Sequence, residues 1–273
     1  DSKLTKGRMN YGEYFLKGKS KKEILIVSYI CHPSMANNEL SGILLLMSLI
    51  KSLKKSKYSV RILLIPETIG AIYFIEKNLI HLKKNLIAGF NLTCIGDNGK
   101  FSIVKSVNEN SYADYLVKRI FNHKETNYYS YLLRGSNERQ FGCQNLNLPF
   151  VTLCRSRFGD YKEYHTSDDN LNKVVNKKGL NDSFNLITKL HYTADNFSYP
   201  KVKFLGEPFL SKRNLYPHIG ADILPKKIML IKNVLTYSDG SNSIIDIANK
   251  CKTPVLEIIS IINELKKNNL LNV

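Results

Sequence analysis

The 273-residue sequence contains no tryptophan and only five cysteines, and it has few acidic residues for its length. The cysteines are odd in number and form no Cys-x-x-Cys pair, which argues against a disulfide framework and against a cysteine-only zinc site. The 23 acidic residues face 40 Lys and Arg residues, so the formal net charge is +17. The basic residues are spread along the chain as Lys-Lys pairs, and we therefore do not expect them to form one nucleic-acid-binding patch.

Long apolar runs are also missing. The longest, Gly42–Ile50, has nine residues and includes a serine, whereas a helix needs about 20 apolar residues to cross a bilayer. We therefore predict no membrane span. Residues 1–20 are polar and rich in lysine, from which we expect no secretory signal and a cytoplasmic location.

What the sequence does contain is enough apolar material for a full core, with 43% hydrophobic and 10% aromatic residues. Glu23–Ile30 is a continuous β-branched run, typical of a strand that is buried on both faces. Residues 40–53 carry apolar side chains at three- and four-residue steps, which predicts a helix with one buried stripe. The stripe predicted on this helix consists of Ile43, Leu46, Met47, Ile50 and Leu53.

The alternation of strand and helix continues along the chain. Strands are predicted at 60–65 and 88–95, with a helix at 69–78 between them. This βαβαβ pattern predicts an α/β fold with a mainly parallel sheet and helices on both faces. Further along, the sequence predicts an edge strand at 101–105, a helix at 112–121, a loop at 135–149, a strand at 150–154 and a closing helix at 174–195.

A break at Tyr199-Pro200 divides the chain into a predicted α/β domain, 1–199, and a smaller domain, 200–273. Residues 201–225 are loop-like in composition, and three short helices are predicted after them, at 227–235, 244–249 and 254–265. The last two, joined by a tight turn, have the outline of a helix-turn-helix. We therefore predict a small winged-helix-like domain.

Three polar segments follow predicted strands, at the edge where open α/β sheets bind ligands. They are Cys31–Gly42, Pro66–Gly70 and Tyr161–Asn170. Two histidines, His32 and His165, and the strand-end Glu67 should thus converge from distant parts of the chain.

Six segments in this order resemble the zinc exopeptidases of the aminopeptidase and glutamate-carboxypeptidase kind. The resemblance is closest to an aminopeptidase-like subfamily that carries a C-terminal winged helix and is associated with polysaccharide-biosynthesis loci. The segments are Cys31–Ser34, Asn38–Gly42, Pro66–Gly70, Gly135–Phe141, Tyr164–Leu171 and the pair Gly206–Phe209 with Leu215–Pro217.

The resemblance implies a role for each matching residue. His32 and His165 become metal ligands, and Glu67 becomes the general base that takes a proton from metal-bound water. Tyr164 would donate to the developing oxyanion. Asp97, which follows the third predicted strand, is the candidate for a later aspartate ligand.

The sequence departs from the family where it would hold metal. Asn38 stands at the position of the bridging aspartate, and Asn137 replaces another expected aspartate. Each change removes a negative charge from the presumed cation site, and divalent metals depend on anionic oxygen ligands. The resemblance therefore implies one zinc rather than two, or none, with substrate binding assigned to Asn137, Glu138 and Arg139.

Several of these residues also have structural interpretations that the sequence leaves open. Glu67 could cap the helix that follows it, Asp97 could be an ordinary turn residue, and His32 could serve only as a hydrogen-bonding group. Asp168 and Asp169 are expected to cap the helix that follows their loop.

Three functions therefore remain. The leading hypothesis is an aminopeptidase-like metallohydrolase acting on an amide or peptide bond. The second is an inactive protein of surface-polysaccharide biosynthesis that binds a peptide, amide or amino-sugar-like ligand. The third is a winged-helix protein that binds nucleic acid, which we do not favour because Glu257 and Glu264 on the last helix would repel phosphates.

Overall fold

We describe a computed structural model of the chain, over residues 2–121, 124–216 and 226–273. The chain divides into two compact units, which meet in sequence between His191 and Tyr192. The domain bounds predicted at 199 and 200 stay a prediction. Part of the predicted loop at 201–225, namely residues 217–225, lies outside the described residues.

The first unit contains a seven-stranded sheet with the order β1-β3-β2-β4-β7-β5-β6. Strands β2, β3, β4 and β7 run parallel, β1 is antiparallel to β3, and β5 is antiparallel to β7 but parallel to β6. The mainly parallel α/β fold is thus confirmed. The strands are β1 Gly12–Leu16, β2 Ser20–Tyr29, β3 Tyr58–Ile65, β4 Leu86–Leu92, β5 Phe101–Val104, β6 Thr126–Tyr129 and β7 Phe150–Cys154.

Helices cover the sheet on both faces. Side chains of β2 alternate: Leu25 and Val27 lie in one buried cluster with Phe74 of α2, whereas Ile24 and Ile26 face Ile187 and Leu190 of α5. This alternation explains why β2 reads as a continuous apolar run. The helices that begin in this unit are α1 Ser41–Ser52, α2 Ile69–Asn85, α3 Tyr112–Ile120, α4 Glu138–Phe141 and α5 Lys177–Asn196.

Helix α1 packs closely against the sheet because of one glycine. A Cβ on Gly42 would lie 2.4 Å from Ser28 Oγ and 2.8 Å from the Leu92 carbonyl oxygen, so only glycine allows this approach. The buried stripe differs from the prediction by about one residue: Leu45 and Leu49 are buried, whereas Met47 is 51% exposed.

The structure corrects three predicted elements and adds two strands. Strand β5 lies between β7 and β6 and is not an edge strand. Strands β1 and β6 were not predicted because both are short, and neither carries a continuous apolar run. Helix α4 interrupts the predicted loop at 135–149, and α2 continues to Asn85, seven residues beyond its predicted end.

The second unit is a small helical domain with a two-stranded antiparallel sheet formed by β8, Lys201–Val202, and β9, Leu271–Asn272. Its helices are α6 Lys226–Tyr237, α7 Ile244–Lys250 and α8 Val255–Lys267. Ser243 and Asp246 form a capping box at the start of α7. The predicted winged-helix arrangement is confirmed. Within the ranges described above, no helix is long and apolar enough to cross a membrane.

Candidate functional site

The site candidates lie where β2, β3 and β7 end. These strands and β4 run parallel, so the segments that follow them meet at one edge of the sheet. Cys31 and His32 follow β2, and Glu67 follows β3. Tyr164 and His165 belong to the loop between β7 and α5.

The structure brings the two predicted histidines together. The ring centroids of His32 and His165 are 5.2 Å apart. Tyr164 stacks on His165 with a centroid distance of 4.0 Å, and the Tyr29 ring is 4.8 Å from the His32 ring. His165 has a positive φ of 57°, a conformation that non-glycine residues seldom adopt and that is found at functional sites.

Glu67 lies beside this pair. Burial raises the pKa of its carboxyl group, and the opposing effects of a hydrogen bond from Ser136 and of the nearby His32 and Arg139 are smaller. The Ser136 hydroxyl donates to Glu67 Oε1 at 2.5 Å. We call His32, Glu67, Tyr164 and His165 the histidine cluster.

Tyr164 contributes a hydrogen-bond donor to this cluster, and Cys31 contributes an acceptor beside it. Burial raises the pKa of Tyr164 to about 12, so its hydroxyl keeps its proton at neutral pH and can donate to a ligand. The Cys31 thiol was not predicted: its Sγ lies 3.4 Å from His32 Nδ1 and accepts the Glu67 N–H at 3.0 Å. Burial raises the pKa of this thiol, which favours the neutral form over a metal-binding thiolate.

Asn38, at the predicted bridging position, lies in a π-helical turn, Ala36–Leu40, that leads into α1. Its side chain is fully buried, and its Oδ1 accepts hydrogen bonds from the Tyr29 hydroxyl and from Cys94 Sγ. Among the described residues its Nδ2 has no hydrogen-bond partner. Asn38 is thus a buried neutral amide at the position where the resemblance implies a bridging carboxylate.

Asp97, the predicted later ligand, is not brought to the imidazoles. Its carboxylate accepts hydrogen bonds from Asn37 Nδ2 at 2.8 Å, from the Gly99 N–H at 2.5 Å, and from the N–H and hydroxyl of Ser156 at 3.2 and 2.9 Å. The residue that follows β4 next to Asn38 is instead Thr93, whose hydroxyl contacts the Tyr29 hydroxyl. The sequence offered no charged side chain at that position to mark it.

Asp169, expected to cap a helix, also binds a loop. Its two oxygens accept the backbone N–H groups of Asn37 and Asn38 at 2.6 and 3.0 Å, and Tyr161 donates to it at 3.0 Å. Asp169 thus accepts first-turn N–H groups of the π-helical segment that leads into α1, 132 and 131 residues away in sequence, and not of the helix that follows its own loop.

Of the three residues predicted to bind substrate, Glu138 is fully buried. Its carboxylate accepts the N–H groups of Gly135 and Ser136 at 2.6 and 2.9 Å and the Thr152 hydroxyl at 2.6 Å. These contacts place Glu138 beneath the loop and away from a ligand-accessible surface.

Asn137 and Arg139 flank Thr68, which has a φ of 63°. The buried Asn137 side chain accepts the Thr68 N–H at 3.1 Å. Arg139 is exposed and donates to the Thr68 hydroxyl at 2.7 Å. Arg139 is therefore the member of this segment whose side chain can reach a ligand.

The donor set of the site does not fit a zinc centre. Over the described parts of the chain, no three His, Cys, Asp or Glu side chains are grouped so that they could hold one metal ion. Zinc sites in proteins use at least three such ligands. Here the two imidazoles stand beside an amide, Asn38, and a hydroxyl, Thr93, neither of which supplies negative charge. Glu67 is the one carboxyl group of the histidine cluster, and burial raises its pKa, which disfavours its charged form.

Comparison with known proteins shows two family matches. Residues 2–196 match a domain of unknown function, DUF4910, and residues 198–273 match the winged helix-turn-helix family. A Clostridium acetobutylicum protein named for polysaccharide biosynthesis and an aminopeptidase-like domain is 40% identical over 256 residues, which make up 92% of this chain and 58% of the relative.

Solved structures give the same fold. A crystal structure from Clostridium acetobutylicum, described as that of a peptidase, matches with a TM-score of 0.85 and 36% identity over 96% of this chain and 60% of the other. A zinc aminopeptidase from Bacillus subtilis matches 67% of this chain and 49% of its own length, with a TM-score of 0.55 and 16% identity. This chain thus spans about three fifths of the length of the Clostridium proteins that it matches.

Proposed function

The chain belongs to the DUF4910 family and has an aminopeptidase-like fold, and we propose that its histidine cluster binds a polar ligand without a zinc pair. The ligand would carry an amide, as peptides and N-acetylated amino sugars do. The observation that supports this proposal is the buried Asn38 at the position where the resemblance implies a bridging carboxylate. The name of the Clostridium relative supports a place in polysaccharide biosynthesis.

The side chains around the cluster suit such a ligand. Tyr164 and Arg139 can donate hydrogen bonds to a carbonyl oxygen, and Glu67 can accept one from an amide N–H. Glu138 and Asp97 are reassigned as loop-binding carboxylates, because each already accepts several hydrogen bonds.

Metal content tests this proposal most directly. We expect the native chain, purified without chelators, to contain well under one zinc per chain by elemental analysis. Asn38→Asp should be less stable than the native chain by about 3 kcal/mol, because it buries an unpaired charge. Added zinc should restore stability to this variant, while the triple variant with His32→Ala and His165→Ala should not respond.

A second candidate function is hydrolysis with a single zinc, and the close approach of the two imidazoles favours it. One zinc per native chain, lost in both His32→Ala and His165→Ala, would support this candidate and contradict a metal-free cluster. Hydrolysis of aminoacyl amides by the zinc-loaded native chain would then demonstrate this activity.

Ligand binding is tested with simple probes. N-Acetylglucosamine should shift the imidazole NMR signals of His32 and His165, and glucosamine, which lacks the amide, should shift them less. The control is Arg134→Gln, which changes an exposed arginine that stacks on Tyr131 outside the cluster. Arg139→Gln should reduce these shifts, whereas the control should keep them. If both variants lose binding, the role assigned to Arg139 is wrong.

We retain the prediction that the winged-helix unit does not bind nucleic acid. In the structure Lys227 pairs with Glu264 at 2.9 Å, which uses one of the basic groups near α8. Duplex DNA binding that weakens steeply with salt would contradict this prediction. The cytoplasmic location also stays a prediction.

A further inference from the structure

Lysines that are dispersed along the sequence are brought together by the fold, at the sheet edge opposite the histidine cluster. Strands β2, β3 and β4 run parallel, so the segments at which they begin lie at one edge. These segments are residues 17–22, 54–57 and 83–85, the last of which ends α2 and leads into β4. They contain nine lysines, all exposed, and no acidic residue. We call these nine lysines the basic edge.

Direct contacts join the three segments. The Ser20 N–H donates to the Lys57 carbonyl oxygen at 2.8 Å, which connects the first segment to the second. Lys22 Nζ donates to the Lys84 carbonyl oxygen at 2.9 Å, which connects the first segment to the third. Lysines that the sequence shows as separate pairs are therefore neighbours on one surface.

Two acidic residues near this edge are already paired with other groups. Glu23, which follows Lys22, is fully buried; it accepts a hydrogen bond from Arg61 Nε at 2.8 Å, and its other oxygen lies 2.9 Å from His81 Nε2. Glu13 of β1 pairs with the same Arg61. Both carboxylates are thus used by residues outside the basic edge and do not neutralise its lysines.

Helix termini explain only part of this positive charge. Lysines in the last turn of a helix stabilise the negative end of its dipole, and Lys83 and Lys84 lie in the last turn of α2. Lys17, Lys19 and Lys21 belong instead to the connection between β1 and β2 and to the start of β2. Their charge is therefore not explained by a helix terminus.

An exposed isoleucine stands among these lysines. Ile80 of α2 is 83% exposed, and Lys83 and Lys84 follow it by three and four residues, so the three side chains share one face of the helix. The adjacent His81 reaches Glu23 near the start of β2, which places this turn of α2 beside the basic edge. Lysines with an apolar side chain among them match a bilayer surface, where lysines contact headgroups and apolar groups enter between them.

A nucleic acid fits this surface less well. Bases are read by arginine, asparagine or glutamine side chains, or they stack on exposed aromatic rings. The three segments contain no arginine, and Asn85 lies 3.2 Å from His81 Nδ1. Tyr58, which follows the second segment, is half-buried, and Lys57 Nζ lies over its ring at 5.1 Å from the centroid. The surface thus offers charge and an apolar residue, but few groups that could read bases.

We propose that the basic edge, together with Ile80, binds the surface of an anionic lipid bilayer. The lysines contact lipid phosphates, and Ile80 enters the headgroup region. The histidine cluster lies at the opposite edge of the sheet and therefore faces away from the bilayer. This binding is independent of the function proposed for the histidine cluster.

Vesicle sedimentation tests the proposal with the native chain. Vesicles of phosphatidylcholine and phosphatidylglycerol in equal parts are compared with vesicles of phosphatidylcholine alone. We expect binding to the anionic vesicles only, and we expect it to weaken as the salt concentration rises, because salt screens exposed charges. Equal binding to the two kinds of vesicle, or binding to neither, would overturn the proposal.

Two triple variants show whether the basic edge is responsible. The test variant replaces one exposed lysine of each segment: Lys19→Gln, Lys55→Gln and Lys83→Gln. It should bind anionic vesicles about a hundredfold more weakly, since each lysine at an anionic surface contributes about fivefold to affinity. The control removes the same charge from exposed lysines near the opposite sheet edge: Lys100→Gln, Lys162→Gln and Lys177→Gln. It should bind much as the native chain does, and equal losses in the two variants would contradict the proposal.

The apolar contribution is tested on α2. Ile80→Asn should weaken binding to anionic vesicles about tenfold, because it removes an apolar side chain from the headgroup region. The control is Ile69→Asn, which changes a 60% exposed isoleucine about 16 Å further from this edge along the same helix, and it should bind as the native chain does.

Duplex DNA is the competing partner. If DNA binds the native chain more tightly than anionic vesicles do, and the lysine variant at the basic edge loses that binding, this surface recognises nucleic acid and the proposal is wrong. Binding of vesicles that DNA does not displace would support the bilayer.

Discussion

Two neighbouring groups at the same sheet edge use their acidic residues in opposite ways. In the aspartate cluster, formed by Asn37, Asp97, Ser156 and Asp169, the two carboxylates are buried and accept hydrogen bonds on both oxygens. In the histidine cluster, Glu67 accepts a hydrogen bond from Ser136 and lies beside imidazoles. A carboxylate at this edge that accepts backbone N–H groups holds a loop in place, and we call such a residue an anchor. A carboxylate that accepts none remains available to a ligand.

Replacing an anchor carboxylate should lower the free energy of unfolding more than any other change predicted here. Asp169→Ala leaves the buried N–H groups of Asn37 and Asn38 without acceptors, and we expect a loss of about 3 kcal/mol in the free energy of unfolding. The matched control is Asp168→Ala, since Asp168 is half exposed and pairs with the exposed Lys173, and it should change stability by less than about 1 kcal/mol. Urea denaturation measures both. Equal losses in the two variants would remove the distinction between anchor and ligand-facing acid.

Glu67 should make the free energy of unfolding depend on pH. Because burial raises its pKa above the ordinary value of 4.5, the native state keeps a proton that the unfolded state has already lost. The stability that Glu67 contributes is therefore present at low pH and falls as the pH rises through this window. Glu67→Gln should abolish this dependence and become more stable relative to the native chain as the pH rises above 4.5. A stability difference that stays constant with pH would contradict a buried, ligand-facing carboxyl group.

The smallest effect is expected at Ser136. Its hydroxyl lowers the pKa of Glu67, so Ser136→Ala should raise that pKa further, as measured by NMR titration of the Glu67 carboxyl carbon. Ser136 also accepts a hydrogen bond from Asn91 at 3.1 Å, so a modest loss of stability is expected as well. Ser167→Ala, which changes an exposed hydroxyl of the loop that carries His165, serves as the control and should leave the titration unchanged.

The strand and helix order was largely predictable, because long apolar periods dominate β2, α1 and α8. The exceptions have local causes. Strand β6, Thr126–Tyr129, is half-polar and short, and its place in the sheet depends on pairing with β5. The buried face of α1 carries Leu45 and Leu49, which lie three and seven residues after the Gly42 that packs against Ser28, so this close approach selects the face and leaves Met47 exposed.

For the candidate site, the sequence predicted that His32, Glu67 and His165 would converge, and the structure brings them together. It did not distinguish Glu67 from Asp97, since both are acidic residues that follow a strand. The hydrogen bonds from Asn37 and Ser156 separate the two, and they join residues about 60 positions apart.

By itself the sequence determined the α/β class, the winged-helix unit, the edge of the sheet that carries the polar loops, and the neutral Asn38 in place of an expected carboxylate. The long-range contacts of the folded chain were needed to show which acids are anchors and that Thr93, after β4, lies beside Asn38. Strand and helix periods are set by residues that are close in sequence. The hydrogen bonding of a buried polar group depends instead on donors and acceptors from distant parts of the chain.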